Sequence, residues 1–301
     1  MKLSIIIINY HSADILNRCI DSIECSLSHE IIVVDNDDQL PKIGNSAVKI
    51  IDFTGNLGFS GANNKALNIA EGEYILFLNA DVFLRSDYID HCISVLETHP
   101  ECASVQGKLL KEHDPTLIDS TGNVVTRAFW AFNEHHLDRD FPVPDHEIFG
   151  VCCAAGIFRH TTLNEVSQDN ELFDEDFFAY LEDVDLNIRL RKAGYSALFV
   201  SDACALHIRE ASSAFWYRFR QSVLNRYLLV IKHKKMMGLI INSMIIAPVV
   251  LLFFPERQIT FNKIRSCFRK RSTSLYSEKP IILDSNWLFL KHVFKRLSDH
   301  S

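Results

Sequence analysis

At 301 residues, with 48% hydrophobic and 23% charged side chains, the chain can bury a large core, as one big domain with an appendage or as two modest domains, and it is not a disordered polymer. Eight cysteines form no CxxC pair, and the opening MKLSIIIINY is too short an apolar run for a secretory signal, so reduced thiols and a cytoplasmic protein are expected. The net charge of −7 is divided: residues 209–301 hold 17 Lys and Arg against 5 Asp and Glu, a net +12, which leaves −19 on residues 1–208.

Strands and helices alternate through the first hundred residues. The β-branched run 3–8 suits a central strand buried on both faces, and Ser12 is placed to cap a helix carrying Leu16, Cys19, Ile20, Ile23 and Leu27. Strands are predicted at 30–35, 48–53 and 73–79, with a Gly- and Asn-rich loop feeding a helix over 56–70. This βαβ succession implies a mostly parallel sheet whose ligands gather at the carboxyl ends of its strands. Polar residues collect at those ends: Asn9 and Tyr10, Asp35 and Asn36, Asn79 and Asp81. An Asp at such a position can meet a hard cation that bridges two phosphates, although a solvated turn Asp reads the same in sequence.

Beyond residue 100 the pattern loosens. Segments 103–110 and 150–159 read as strands, separated by a polar, aromatic, Pro-marked excursion over 112–149. A helix follows, with Leu181, Val184 and Ile188 on one stripe, Leu186, Leu190 and Ala193 on another, and Gly194 as its stop. Asp185 and Arg189 can pair across one turn, whereas Glu182 and Asp183 lack a partner four residues on; they either favour the helix dipole or do chemistry. His207 ends another apolar stretch, where a structural role is the alternative. In the basic tail, the apolar run Leu239–Phe254 spans 16 residues, short of the ~20 a bilayer span needs. Flanked by basic clusters at 232–235 and 265–271, it fits a segment lying in a membrane interface, the alternative being a buried helix pair.

The ordered segments SIIIINYHSADILNRCIDSI, EIIVVDND, NLGFSGANN, GEYILFLNADV, FDEDFFAYLEDVDLNIRLRKAGY and ALH resemble the glycosyltransferase family 2 proteins, in particular the rhamnosyltransferase-like members that build bacterial surface polysaccharides. The resemblance covers roughly residues 1–210. It implies an α/β GT-A fold there, with a nucleotide-binding half at 1–105 and an acceptor-binding half at 106–210, followed by a helical, basic, membrane-associating region at 211–301. It also implies a divalent metal, Mg²⁺ or Mn²⁺, and an inverting displacement. Carried over by position, Asp35 would accept the imide N–H of uracil or thymine, with Asn9 and Tyr10 lining the base. Asn56, Gly58, Phe59 and Asn64 would shape the nucleotide loop. Asn79 and Asp81 match the DXD-type motif, in which the last Asp binds the metal and His207 completes the site. Asp183 matches the catalytic base, and Glu182 is expected to orient the acceptor.

These residue types suit the chemistry. Loss of a nucleoside diphosphate needs its developing charge neutralised, and the attacking hydroxyl needs a carboxylate to take its proton. The expected partners are a dTDP- or UDP-sugar, a saccharide or polyprenyl-diphosphate-linked acceptor, and an anionic membrane at the inner face of the cell envelope. A sugar-1-phosphate nucleotidyltransferase would need a glycine-rich loop after the first strand, and no glycine precedes Gly44. A membrane-docked binding scaffold is the non-catalytic alternative. Nucleic-acid binding is not expected, because the tail interleaves its charge with aliphatic residues rather than with stacking aromatics.

Overall fold

The structure, a computed structural model, describes residues 1–44, 47–53, 55–127, 129–209 and 215–233. The apolar run 239–254 and the basic cluster 265–271 lie outside the described residues.

Four parallel strands make the first half of the sheet: β1 (Leu3–Asn9), β2 (His29–Asp35), β3 (Val48–Asp52) and β4 (Tyr74–Asn79), in the order β3-β2-β1-β4. The continuous apolar runs of β1, β2 and β4 are buried on both faces, whereas the edge strand β3 leaves Ile50 exposed. Leu3, Ile5 and Ile7 of β1 point to a core shared with α1 (Ala13–Asp21) and α3 (Tyr88–Thr98). Ile6 points to the opposite core, shared with α2 (Gly58–Leu67), α4 (His160–Val166) and α5 (Glu182–Ala193). The result is a sheet with helices on either face, as a period-2 strand covered on both sides demands.

The second half is mixed. After β4 comes a short β5 (Val82–Leu84), then β6 (Cys102–Lys111), β7 (Ile118–Ser120), β8 (Asn123–Val125), β9 (Ala131–Asn133), β10 (His146–Ile148), β11 (Ala155–Arg159) and β12 (Ser196–His207). The sheet continues past β4 as β11-β6-β12-β10, with β11 antiparallel to both neighbours and β12 parallel to β6. The strand predicted at 150–159 begins only at Ala155. Gly150 is pressed against the Asn187 side chain, the Val151 carbonyl accepts from both Asn123 and Asn187, and Cys152 N donates to Gln106 Oε1, so side chains take the bonds that a ladder would have used.

Helix α5 carries both predicted stripes. Leu186 and Leu190 face the sheet, while Val184 and Ile188 face Leu228–Ile231 of a further helix, α6 (Phe215–Lys232). Gly194 ends it with φ +97°, the left-handed conformation a glycine adopts without strain. Asp185 and Arg189 pair as expected at 2.9 Å, but Lys232 and His233 also converge on the same carboxylate, at 2.9 and 3.0 Å. Ser12 occupies the N-cap position of α1 without capping it. Its hydroxyl donates instead to Asn9 Oδ1 and accepts from Tyr10 N, which fixes the turn after β1.

Candidate active site

Strand register assembles the first cluster. Asn9 stands opposite Asp35 at the carboxyl ends of β1 and β2, and Asn9 Nδ2 donates to Asp35 Oδ1 at 3.0 Å. The same amide reaches Asp37 Oδ1 at 3.3 Å, and Asp37 Oδ2 accepts from His11 N, so the loop carrying Tyr10 is pinned on both sides. Asn36 extends the cluster to the loop before α2: its Nδ2 donates to Asn56 Oδ1 at 3.1 Å and its Oδ1 accepts from Leu57 N. Asn56 Oδ1 also accepts from Gly58 N at 2.8 Å.

Gly58 has φ +69°, and a Cβ there would run into the carbonyl and ring of Phe178. Phe178 in turn belongs to a run with positive φ at Phe178, Tyr180 and Leu181, immediately before α5. Such strain in bulky residues persists only where the surroundings enforce it. Ser60 N donates to Phe178 O, and Asn64 clasps Phe173 through both its amide nitrogen and its oxygen. Phe59 meets Phe173 edge-on at 5.8 Å. In this structure Asn64 and Phe59 therefore tie α2 to the segment that delivers α5, a contact that the sequence reading did not foresee for them.

The second cluster forms where β5 pairs with β12. That pairing sets His207 opposite Val82, and Ile208 N donates to Asp81 O at 3.0 Å. His207 Nε2 consequently lies 3.4 Å from Asp81 Oδ1. Its Nδ1 lies 2.8 Å from Asp119 Oδ2, and Asp119 also engages His136 and Arg209. Asp119 is fully buried; burial would raise its carboxyl, but the Arg209 charge and the two histidines hold it well below the usual carboxylate range. Burial would lower His207, yet hydrogen bonding to Asp119 and Asp81 raises it to about 9. Asn79 stands just before this cluster, with its backbone N–H on Ala154 O and its carbonyl beside Cys19 Sγ.

The third cluster is the N-terminus of α5. Asp183 Oδ2 accepts from Asn123 Nδ2 at 3.1 Å and Asp183 Oδ1 from Val184 N at 2.8 Å. Glu182 is 7% exposed and its Oε2 has no hydrogen-bond partner. Burial raises both carboxyls, Glu182 well above its ordinary value, and the nearby Asp183 charge raises Glu182 further. The loop 151–154 touches both clusters: Val151 O accepts from Asn123, which holds Asp183, and Ala154 O accepts from Asn79 N, two residues before Asp81. One short loop thus walls both clusters.

Asp81 and His207 offer one carboxylate oxygen and one imidazole nitrogen toward each other, with Asp119 fixing the ring from behind. Among the described residues no three His, Cys, Asp or Glu side chains converge as a closed metal site. Asp81 offers the hard carboxylate oxygen that Mg²⁺ or Mn²⁺ takes beside substrate phosphates and water, and His207 can join it by giving up the proton it holds toward Asp81. Asp119 and Asn123 were not legible in the sequence, since both sit in the excursion 112–149. An Asp and an Asn flanking the short apolar and Gly-marked turns there were the only signal.

The sequence profile described as glycosyl transferase family 2 matches residues 4–163. The chain belongs to glycosyl transferase family 2. Among its relatives in the family is an uncharacterized glycosyltransferase of Nostoc sp., 30% identical over 175 residues, a match covering 48% of this chain and 54% of that one. The rhamnosyltransferase WbbL of Escherichia coli K12 is 25% identical over 220 residues, covering 67% of this chain and 82% of that one. The chain thus spans about half the length of the first of these relatives. A solved structure of GalNAc-T7 with UDP, GalNAc and Mn²⁺ superposes with a TM-score of 0.59 over 76% of this chain and 47% of that one, at 13% identity, a likeness of fold.

Proposed function

We propose that the chain transfers a sugar, rhamnose before other hexoses, from a dTDP- or UDP-linked donor to a saccharide or polyprenyl-diphosphate-linked acceptor, with inversion at the anomeric carbon. The observation that carries this reading is the buried carboxylate pair Glu182 and Asp183 across one loop from the Asp81–His207 pair. Membership of the family and the rhamnosyltransferase WbbL among its relatives favour rhamnose; the sugar itself is the part to be tested.

The donor base would lie on the Asn9–Asp35 cluster, with Asp35 accepting the N3–H that uracil and thymine share. Asn36, Asn56 and Gly58 hold the adjoining loop. Asp81 and His207 would hold Mg²⁺ or Mn²⁺, which when bound neutralises charge on the departing diphosphate. Asp119 acts through His207: a carboxylate on Nδ1 keeps Nε2 directed at Asp81.

Asp183 serves as general base. Its carboxyl is raised by burial, which brings a carboxylate nearer the basicity that proton removal from a sugar hydroxyl requires. The hydroxyl proton passes to Asp183 as the oxygen attacks, the bond to the diphosphate breaks, and no covalent enzyme intermediate is needed. Asn123 and the Val184 N–H hold the carboxylate in place. Glu182, raised further, orients the acceptor as a hydrogen-bond donor. The tail, with the run 239–254 and its basic flanks, would dock the protein peripherally on the inner face of the membrane beside a lipid-linked acceptor.

A donor screen with several UDP- and dTDP-sugars, scored by released nucleoside diphosphate in the presence of acceptor extract, tests this reading. Turnover with dTDP-rhamnose above the UDP-hexoses is expected. Preference for a UDP-hexose would reassign the sugar, and absence of turnover with every donor would favour a binding scaffold.

A further inference from the structure

Arg226, on α6, is a cation that the reaction above does not use. It is 8% exposed, and its guanidinium lies 3.2 Å from the centroid of the Trp130 ring. Its Nε is sealed from solvent and has no hydrogen-bond partner. The other buried cations of this region are matched: Arg189 and Lys232 with Asp185, Arg209 with Asp119. Burial pushes Arg226 down to about 9, which still leaves it charged at neutral pH. An aromatic face attracts a cation without neutralising it, so among the described residues this charge has no counter-charge.

The two elements that enclose Arg226 are the ones that hold Asp183. Asn225, its neighbour on α6, donates to the carbonyls of Phe177, Ala179 and Tyr180 at 2.8, 2.7 and 2.6 Å, bracing the strained run that leads into Glu182 and Asp183. Trp130 precedes β9, the partner strand of β8, whose first residue Asn123 donates to Asp183. Through α6 and the β8–β9 hairpin, the cation is tied to the two elements that hold the carboxylate pair. The two Nη atoms, unlike the sealed Nε, stay within reach of an anion, and two N–H groups side by side match two phosphate oxygens.

We propose that Arg226, backed by Trp130, binds a phosphate or diphosphate group of the substrate that enters on the Asp183 side. The anion would supply the missing counter-charge and fix the acceptor relative to the base. The placement on the acceptor side rests on the reading of Asp183 above; the anion site itself stands on Arg226 and Trp130.

The test uses the full chain and needs no turnover, so failure of the proposed transfer leaves it decidable. Inorganic pyrophosphate and, separately, UDP are titrated by calorimetry into the wild type, R226Q and R226K, with thermal midpoints recorded. The expected result is pyrophosphate affinity weakened about tenfold or more in R226Q, and less in R226K, with the midpoint unchanged or raised because a buried unpaired charge has gone. UDP affinity unchanged in R226Q assigns the site to a phosphorylated acceptor; UDP and pyrophosphate weakened alike keep the anion site but overturn its placement on the acceptor side. If R226Q does not fold, R226K decides: weaker pyrophosphate binding at an unchanged midpoint supports the site. Equal pyrophosphate affinity in wild type and variants, or no pyrophosphate binding to the wild type, overturns it and leaves Arg226 as packing.

Discussion

Asn123 Nδ2 lies 3.1 Å from Asp183 Oδ2, and the two residues come from elements 60 positions apart in the chain. The amide also donates to Val151 O at 3.0 Å, so Asn123 fixes the base and the loop beneath it together. Replacing Asn123 with Ala should lower kcat by about ten- to a hundredfold with donor KM nearly unchanged, because misplacement of a base costs rate rather than ground-state binding. Steady-state kinetics on the purified variant check this. A change confined to donor KM would place Asn123 in nucleotide binding instead.

The metal reading predicts a graded series. Asp81→Ala should abolish the metal-dependent part of UDP or dTDP binding in calorimetry. Asp119→Asn, which touches His207 rather than the cation, should weaken Mn²⁺ affinity by about 10- to 100-fold, the usual cost of losing the partner behind a ligating imidazole. Nucleotide affinity indifferent to Mn²⁺ in the wild type as well as in both variants would remove the cation from the account.

Asp185 is a stability residue. Two cationic side chains, Arg189 and Lys232, and the His233 imidazole converge on its fully buried carboxylate, and Lys232 also reaches Asp174 at 3.0 Å. Asp185→Asn should cost about 3–5 kcal/mol, since it leaves buried positive charge uncompensated. Burial would raise the Asp185 carboxyl, but Lys232 and Arg189, with His233, hold it well below the ordinary value. A depressed carboxyl contributes stability that is fully present above the unfolded value of about 3.9 and lost as pH falls below it. Thermal midpoints of the wild type should therefore drop steeply below about pH 4, while Asp185→Asn starts lower and falls less.

How much of this was legible in sequence depended on whether a residue's partner was local. Asp35, Asp81 and Asp183 stood out because each interrupts an apolar run at the end of a strand or the start of a helix. The pairing of Asp185 with Arg189 followed from a four-residue spacing. Asp119 and Asn123 did not stand out, because their significance comes from β7 lying on β6 and from the β8–β9 hairpin reaching α5, pairings of short strands without a period of their own. The same holds for residues 150–154, whose apolar character reads as strand while side-chain amides from Asn123, Asn187 and Gln106 take their backbone. Gly58 was singled out for the nucleotide; the space it leaves is filled by Phe178.

Among the described residues no helix is long and apolar enough to cross a membrane. Docking through the run 239–254 and its basic flanks predicts that the full chain co-sediments with anionic liposomes at low salt, whereas a chain ending near residue 233 stays in the supernatant. Each Lys or Arg near such a surface contributes about 1 kcal/mol, so 0.5 M salt should release the protein where charge dominates, roughly as Debye screening shortens from ~10 Å toward ~3 Å. Equal recovery of both proteins in the supernatant would count against docking.

Single-turnover transfer by Asp183→Asn isolates the removal of the acceptor proton from donor binding and product release. With dTDP-rhamnose or whichever donor the screen selects, the account predicts a rate lowered by roughly 10² or more, at donor affinity and thermal midpoint close to wild type, since general-base catalysis typically supplies 10²–10⁴-fold and Asn is nearly isosteric. Glu182→Gln, which keeps a hydrogen-bond donor, should lose less. A near-normal single-turnover rate in Asp183→Asn would contradict the account and move the base elsewhere.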